Sequence, residues 1–256
     1  MRFIMRLEIF FILGSNMQKY AELDNKIDDL VKKLPFFSGL NKKEIVLLKN
    51  NLVTHQYKKS QIILFQGGRN FGLFFIHSGS VKITRSEKFQ RESCLKFLKK
   101  DEFFGLENLY LDESFITVQS LEDSIVSFLP QEFFRPFVES NPSVALHLLK
   151  IANKLVCSYQ EKLSYLTQNN AEENLAKVLL DLHNSLSPSS DIAQEEVSGK
   201  APYAIPLSRA DLASMIGTAQ ETAIRLLSKF KEEGYIMQEK RKIFVKNSEK
   251  IQALTR

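Results

Sequence analysis

Residues 206–236 read PLSRADLASMIGTAQETAIRLLSKFKEEGYI, and the organisation of the chain follows from how this stretch divides. Ser208 is placed to cap a short helix whose apolar positions Leu212, Ala213 and Ile216 share one face. Gly217 gives the backbone freedom for a tight turn. Thr218 is expected to start a second helix, with Glu221 in capping-box position. Ala223, Leu226, Leu227 and Phe230 form the inward stripe of that helix, and Gly234 ends it. Two short helices about a glycine turn predict a helix-turn-helix that enters a DNA major groove.

The face opposite the stripe carries Gln220, Glu221, Ile224 and Arg225 in the first two turns, where base edges are met. An arginine there can bond guanine bidentately, a glutamate can accept from a cytosine amino group, and an isoleucine can touch a thymine methyl. Ser208, Arg209, Thr218 and Thr222 suit phosphate oxygens, which position without reading sequence. Beyond Gly234, alternating apolar residues flank a charged turn, so a hairpin wing is expected, with Lys240, Arg241 and Lys242 beside the phosphate backbone.

The chain has 256 residues, enough for two domains, and its net charge of +5 is modest, with the basic surplus lying from Lys200 onward. Cys94 and Cys157 stand far apart without motif spacing, which suggests a reducing compartment. A cytoplasmic protein is expected, since no stretch approaches the roughly 20 apolar residues that span a bilayer. Residues 1–16 combine early positive charge with an apolar run, but Glu8 interrupts the run and no small-x-small cleavage site follows. We read 1–16 as an upstream extension, with Met17 as the native start, and 1–18 as the segment ahead of the first domain.

Residues 19–52 read as two helices separated by Pro35-Phe36-Phe37-Ser38-Gly39, the second capped by Asn41. From Val53 to Leu129 the pattern becomes short strand-like runs, expected over 60–66, 72–77, 80–85, 92–97, 115–120 and 124–130. Close-set antiparallel strands imply a barrel or jelly roll, so 19–141 is expected to form one domain. Pro142 opens a long helix to about 168 with a wide apolar band. Leu148, Ile151, Ala152, Leu155, Tyr159, Leu163 and Leu166 are its expected interface with a second copy, which would set two reading helices about a two-fold axis. Asn169-Asn170 is an expected hinge, 171–186 a helix, and 187–202 a surface loop, inside a C-terminal domain of 169–256.

A β-roll, a long helix and a winged helix-turn-helix in this order resemble the CRP/FNR family of bacterial transcription regulators. The carriers are Leu34-Pro-Phe-Phe-Ser-Gly-Leu40, Phe74-Phe-Ile-His-Ser-Gly-Ser-Val81, Asp101-Glu-Phe-Phe-Gly105, Leu207-Ser-Arg-Ala-Asp-Leu-Ala213 and Glu221-Thr-Ala-Ile-Arg225. The resemblance implies an α+β chain: a double-stranded β-helix (jelly-roll) sensor domain, a dimerisation helix and a DNA-binding domain. It implies double-stranded DNA, a second copy and RNA polymerase as partners, with Glu221 and Arg225 reading a TGA-type core. Ile224 stands where the family has Ser or Gly.

The sensing half departs from the pattern. Leu106 stands where cyclic-nucleotide binders of the family place a ribose-binding Glu, and Ser114-Phe115 where they place Arg-Ser. A buried phosphate without that arginine loses a strong charge-assisted contact, so cyclic AMP binding is not expected. Two cysteines cannot supply the four thiolates of an iron–sulfur cluster. Haem, a small apolar effector, or no ligand remain open; His55, His77, His147 and His183 are the candidate iron ligands, with Cys94 and Cys157 as thiols. Phe74, Phe97, Phe103, Phe104 and Phe115 are candidates for an effector pocket, or plain core. No phosphate-cradling glycine loop, metal-ligand spacing or nucleophile–base set points to an enzyme. A ligand-binding module that uses its helix-turn-helix for protein contact is the remaining rival.

Overall fold

A computed structural model describes residues 34–255, apart from 38, 70–71, 87–91, 187–202 and 241. The expected first helix, the N-terminal extension and the 187–202 loop lie outside the described residues. Helix α1 (Lys42–Asn51) starts as expected at Asn41, whose side chain accepts from the Lys43 and Glu44 amides while Glu44 reaches back to the Asn41 amide.

Eight strands follow: β1 (Val53–Tyr57), β2 (Ile62–Leu64), β3 (Gly72–Ser78), β4 (Ser80–Ser86), β5 (Glu92–Lys99), β6 (Phe103–Phe104), β7 (Thr117–Ser120) and β8 (Ser124–Pro130). They form two four-stranded antiparallel sheets, ordered β1-β8-β3-β6 and β2-β7-β4-β5. Leu64, Phe74, Ile76, Val81, Leu98, Val118 and Val126 fill the space between them. Two strands were not expected from sequence: β1, whose His55 and Gln56 break the apolar pattern, and β6, only two residues long.

Helix α2 (Gln131–Glu139) was also not expected, because Pro136 sits inside it; Phe134, Phe137 and Val138 bury its inner face. The long helix α3 (Pro142–Gln168) has proline at its first turn, where a missing amide costs nothing. Val144 and Leu148 are buried against α2, β3 and the short turn Pro35–Phe37 in the chain's own core, with Ile151 beside them. Leu148 and Ile151 therefore face the roll, which corrects their assignment to a dimer interface. The apolar band on α3 has two stripes, and only one of them is open.

Helix α4 (Ala171–Leu186) begins where Asn170 accepts from the amides of Glu172 and Glu173. The C-terminal domain adds α5 (Arg209–Met215), α6 (Gln220–Glu232), the hairpin β9 (Ile236–Glu239) and β10 (Lys242–Val245), and α7 (Ser248–Ala253). Its core joins Leu175 and Leu179 of α4 to Leu212, Leu227, Phe230, Ile243 and Ile251. Cys94 and Phe97, from β5 of the roll, belong to the same cluster.

Candidate nucleic-acid interface

The sequence builds the reading head from two caps and one turn. Ser208 caps α5: its Oγ accepts from the Asp211 amide at 3.1 Å, and Asp211 Oδ2 accepts from the Ser208 amide at 3.0 Å. The capping box is here, and not at Thr218 as expected. Gly217 has φ +68, a left-handed conformation in which a Cβ is strained, and the Thr218 amide closes the turn on the Ala213 carbonyl at 3.0 Å. Helix α6 starts at Gln220, with Ala219 as a cap that offers no side-chain bond. Thr218 lies ahead of the helix, its amide bonded across the turn, so Glu221 is not held by a box.

Ala223, Leu226, Leu227 and Phe230 are buried, which turns Gln220, Glu221, Ile224 and Arg225 outward together. All four are exposed, and among the described residues neither Glu221 nor Arg225 is tied into an ion pair. Glu221 in the first turn suits the positive end of the helix dipole. Thr222 is half-buried.

The wing follows α6 directly. Lys240 lies in the hairpin turn at φ +44, Lys242 is exposed at the start of β10, and Arg241 is outside the described residues. Arg209 Nη2 donates to Gln238 Oε1 at 3.4 Å, bracing α5 against β9. Gln238, not singled out from sequence, also approaches the Leu227 carbonyl at 3.5 Å. Gln220, Glu221, Ile224, Arg225, Ser208, Lys240 and Lys242 are all exposed to solvent.

The sensor half holds a cavity of about 490 Å³ between the roll and α3. Phe103, Phe104, Leu106, Ile151 and Leu155 give it apolar walls, and Lys96, Lys154 and Glu107 charged ones. Tyr159 reaches it from α3, and burial, with Glu107 nearby, raises its phenol pKa. Of the five phenylalanines expected as effector pocket or plain core, Phe103 and Phe104 line this cavity. Phe74 is buried core, stacked on Phe104 at 4.7 Å. Phe97 points out of the roll, because residues alternate along β5 and Leu98 takes the inward place. Phe115 is 46% exposed beneath the Arg85 guanidinium, 3.5 Å from its ring centre.

Neither histidine nor cysteine lines the cavity, so its walls offer haem iron no axial ligand of those kinds. His77 is buried on β3 with Nε2 2.7 Å from Ser127 Oγ, and His147 Nδ1 lies 2.8 Å from the Ser143 carbonyl on α3. His55 stacks on Phe128, and burial lowers the pKa of His183 in α4. Ser114 is buried with its hydroxyl donated to the Ile116 carbonyl at 2.7 Å.

A β-roll carrying a cavity against a long helix, followed by a winged helix-turn-helix with an open reading face, defines a two-part regulator: a sensor joined to a DNA reader. Comparison with known proteins agrees. Residues 54–141 match the cyclic nucleotide-binding domain, and 173–254 the Crp-like helix-turn-helix domain. The chain is 23% identical over 197 residues to the transcriptional activator protein anr of Pseudomonas aeruginosa, covering 77% of this chain and 78% of that one. It is 27% identical over 209 residues to the cyclic AMP receptor protein of Thermus thermophilus, covering 80% and 89%. The solved structure of FixK2 from Bradyrhizobium japonicum superposes with a TM-score of 0.68 at 20% identity, over 80% of this chain and 98% of that one. The chain belongs to the CRP/FNR family of transcription regulators. Members of that family bind DNA and act as dimers, and they are typically not enzymes. Among the described residues, no helix is long and apolar enough to cross a membrane.

Proposed function

We propose that this regulator binds a two-fold DNA site as a homodimer, reading each half-site with Gln220, Glu221, Ile224 and Arg225. The observation that carries the dimer is the open stripe of α3. Leu149, Ala152, Val156, Tyr159, Leu163 and Leu166 follow one another at steps of three and four residues. Leu149, Val156 and Leu163 are 57%, 52% and 65% exposed, an open apolar seam, and Tyr159, 53% exposed, joins it to the cavity. Pairing two such helices places two reading heads about a two-fold axis, with half-sites about one DNA turn apart.

Arg225 and Glu221 are assigned to base edges, and Ser208, Arg209, Thr218, Thr222, Lys240, Arg241 and Lys242 to phosphates. The cavity walled by Phe103, Phe104 and α3 is the place for a signal, because Tyr159 belongs both to its lining and to the seam. A molecule seated there would act on helix pairing, shifting the population of dimers with correctly spaced heads. RNA polymerase is the further partner of the bound dimer, and the cytoplasm its place of action.

A gel shift of the ligand-free protein on palindromic DNA with TGA-type half-sites, against random DNA, tests the reading. Retention of the palindrome alone, at two chains per site, is expected. Equal retention of both DNAs refutes the assigned base contacts.

A further inference from the structure

The outward face of β4 and β5 holds the first helix of the reading head. Lys82 Nζ lies 2.8 Å from Asp211 Oδ1, and both side chains are only 12% exposed. The Cys94 amide donates to Ser214 Oγ at 2.6 Å. Beside these bonds, Cys94 and Phe97 pack into the cluster of Leu212, Ala213 and Met215. Lys162 closes the junction from α3, donating to the Leu95 carbonyl at 3.1 Å. Roll, central helix and reading head therefore meet at one place.

A shielded ion pair is strongly unfavourable to break by halves, because the survivor keeps its charge without a partner. The contact is therefore made or opened as a unit. When made, it leaves Gln220, Glu221, Ile224 and Arg225 exposed, so it does not cover the reading face; it sets the direction in which that face points. It also governs a charge. Asp211 stands in the first turn of α5, bonded to Ser208, at the helix end assigned to phosphate. Docked, its carboxylate is neutralised by Lys82; undocked, it keeps the Ser208 bonds but carries an uncompensated charge beside a polyanion.

We propose that the Lys82–Asp211 contact is a latch that holds the reading head on the roll in its DNA-competent orientation, and that opening it weakens DNA binding. The proposal rests on the DNA-binding reading of α6. It gives the roll a direct grip on the reading head, separate from any change in helix pairing.

Cys94 is a built-in reporter of the latch. It is 2% exposed, and Cys157 is the chain's other cysteine, on the open surface of α3. In full-length Cys157→Ser protein, a disulfide reagent reports only Cys94. Lys82→Met in that background is expected to speed its modification at least about tenfold and to weaken palindrome binding about tenfold, within the usual range of coupling between sites. Lys82→Arg should restore both, and Asp211→Asn should act like Lys82→Met. Reciprocity requires the palindrome to slow Cys94 modification in the parent protein.

A Cys94 rate unchanged by Lys82→Met overturns the latch. A faster rate with equal or tighter DNA binding overturns its assignment to the competent state. If the parent ignores DNA while Lys82→Met still exposes Cys94, the reading of α6 has failed rather than the contact.

Discussion

Glu221 and Arg225 stand one helical turn apart on the exposed face of α6, and no ion pair joins them. An acid and a base at this spacing are close enough to pair on a helix surface. Left apart, each keeps its hydrogen-bonding capacity for a base edge. Arg225→Ala should cost about 1–3 kcal/mol on the palindrome and relax preference at one base pair, with little change on random DNA. Titrations on a panel of single-base operator variants measure both effects.

Lys240 is assigned to phosphate and should behave differently. Lys240→Ala is expected to weaken binding to palindromic and random DNA by the same factor and to lower the slope of log affinity against log salt by about 1. Affinities at four salt concentrations check it; a loss confined to the palindrome contradicts the assignment.

The seam on α3 can be tested by charge. Leu163→Glu, at a position 65% exposed in the single chain, should leave the fold intact and prevent pairing. Sedimentation should then report one chain instead of two, with an unchanged circular dichroism spectrum. The same substitution at Leu148, 5% exposed, should unfold the roll instead.

Gly217 tests the turn. A Cβ there would meet only Leu166 Cδ2 at 3.7 Å, so the obstacle is the backbone angle rather than space. Gly217→Ala should destabilise the protein by about 1–2 kcal/mol, and Gly217→Asn by less, because asparagine tolerates left-handed backbone. Urea unfolding midpoints give the comparison.

Burial pushes the Cys94 thiol up from 9.0 to about 12. The folded state therefore favours the protonated thiol. Its contribution to stability is complete below about pH 9, the unfolded value, and is lost as pH rises toward 12. Tyr165, raised by burial from 10.0 to about 12, acts in the same direction. Stability should fall across this range, and less steeply in Cys94→Ala, as measured by denaturant midpoints at each pH.

How much could be read beforehand depended on the reach of each interaction. Strand β8 and helix α4 fall at their expected bounds, since their apolar patterns are local signals; the cap at Asn170, read as a hinge, was not expected. The start of α6 was misplaced because Thr218 and Glu221 have capping-box spacing, while the Thr218 amide is bonded across the turn to the Ala213 carbonyl. The true box at Ser208 uses an aspartate. The two stripes of α3 looked alike because both are apolar, and only the position of the roll assigns Leu148 inward and Leu149 outward. Lys82 and Asp211 are 129 residues apart, beyond any pattern of neighbours. The effector phenylalanines scattered for a related reason: composition marks them as buried or aromatic-packed, not on which side of a strand.

The outward side chains of β5 carry a lesson about modularity. Cys94 and Phe97 complete the hydrophobic interior of the DNA reader, so the two halves of the chain share a wall. A reader excised at Asn169-Asn170, or grafted onto an unrelated sensor, would present a bare apolar flank and an Asp211 carboxylate without its lysine. Exchange of sensors by recombination would then succeed only between partners whose fifth strand carries a matching flank. In this chain, inheritance of the reader and of the roll is bound together by packing.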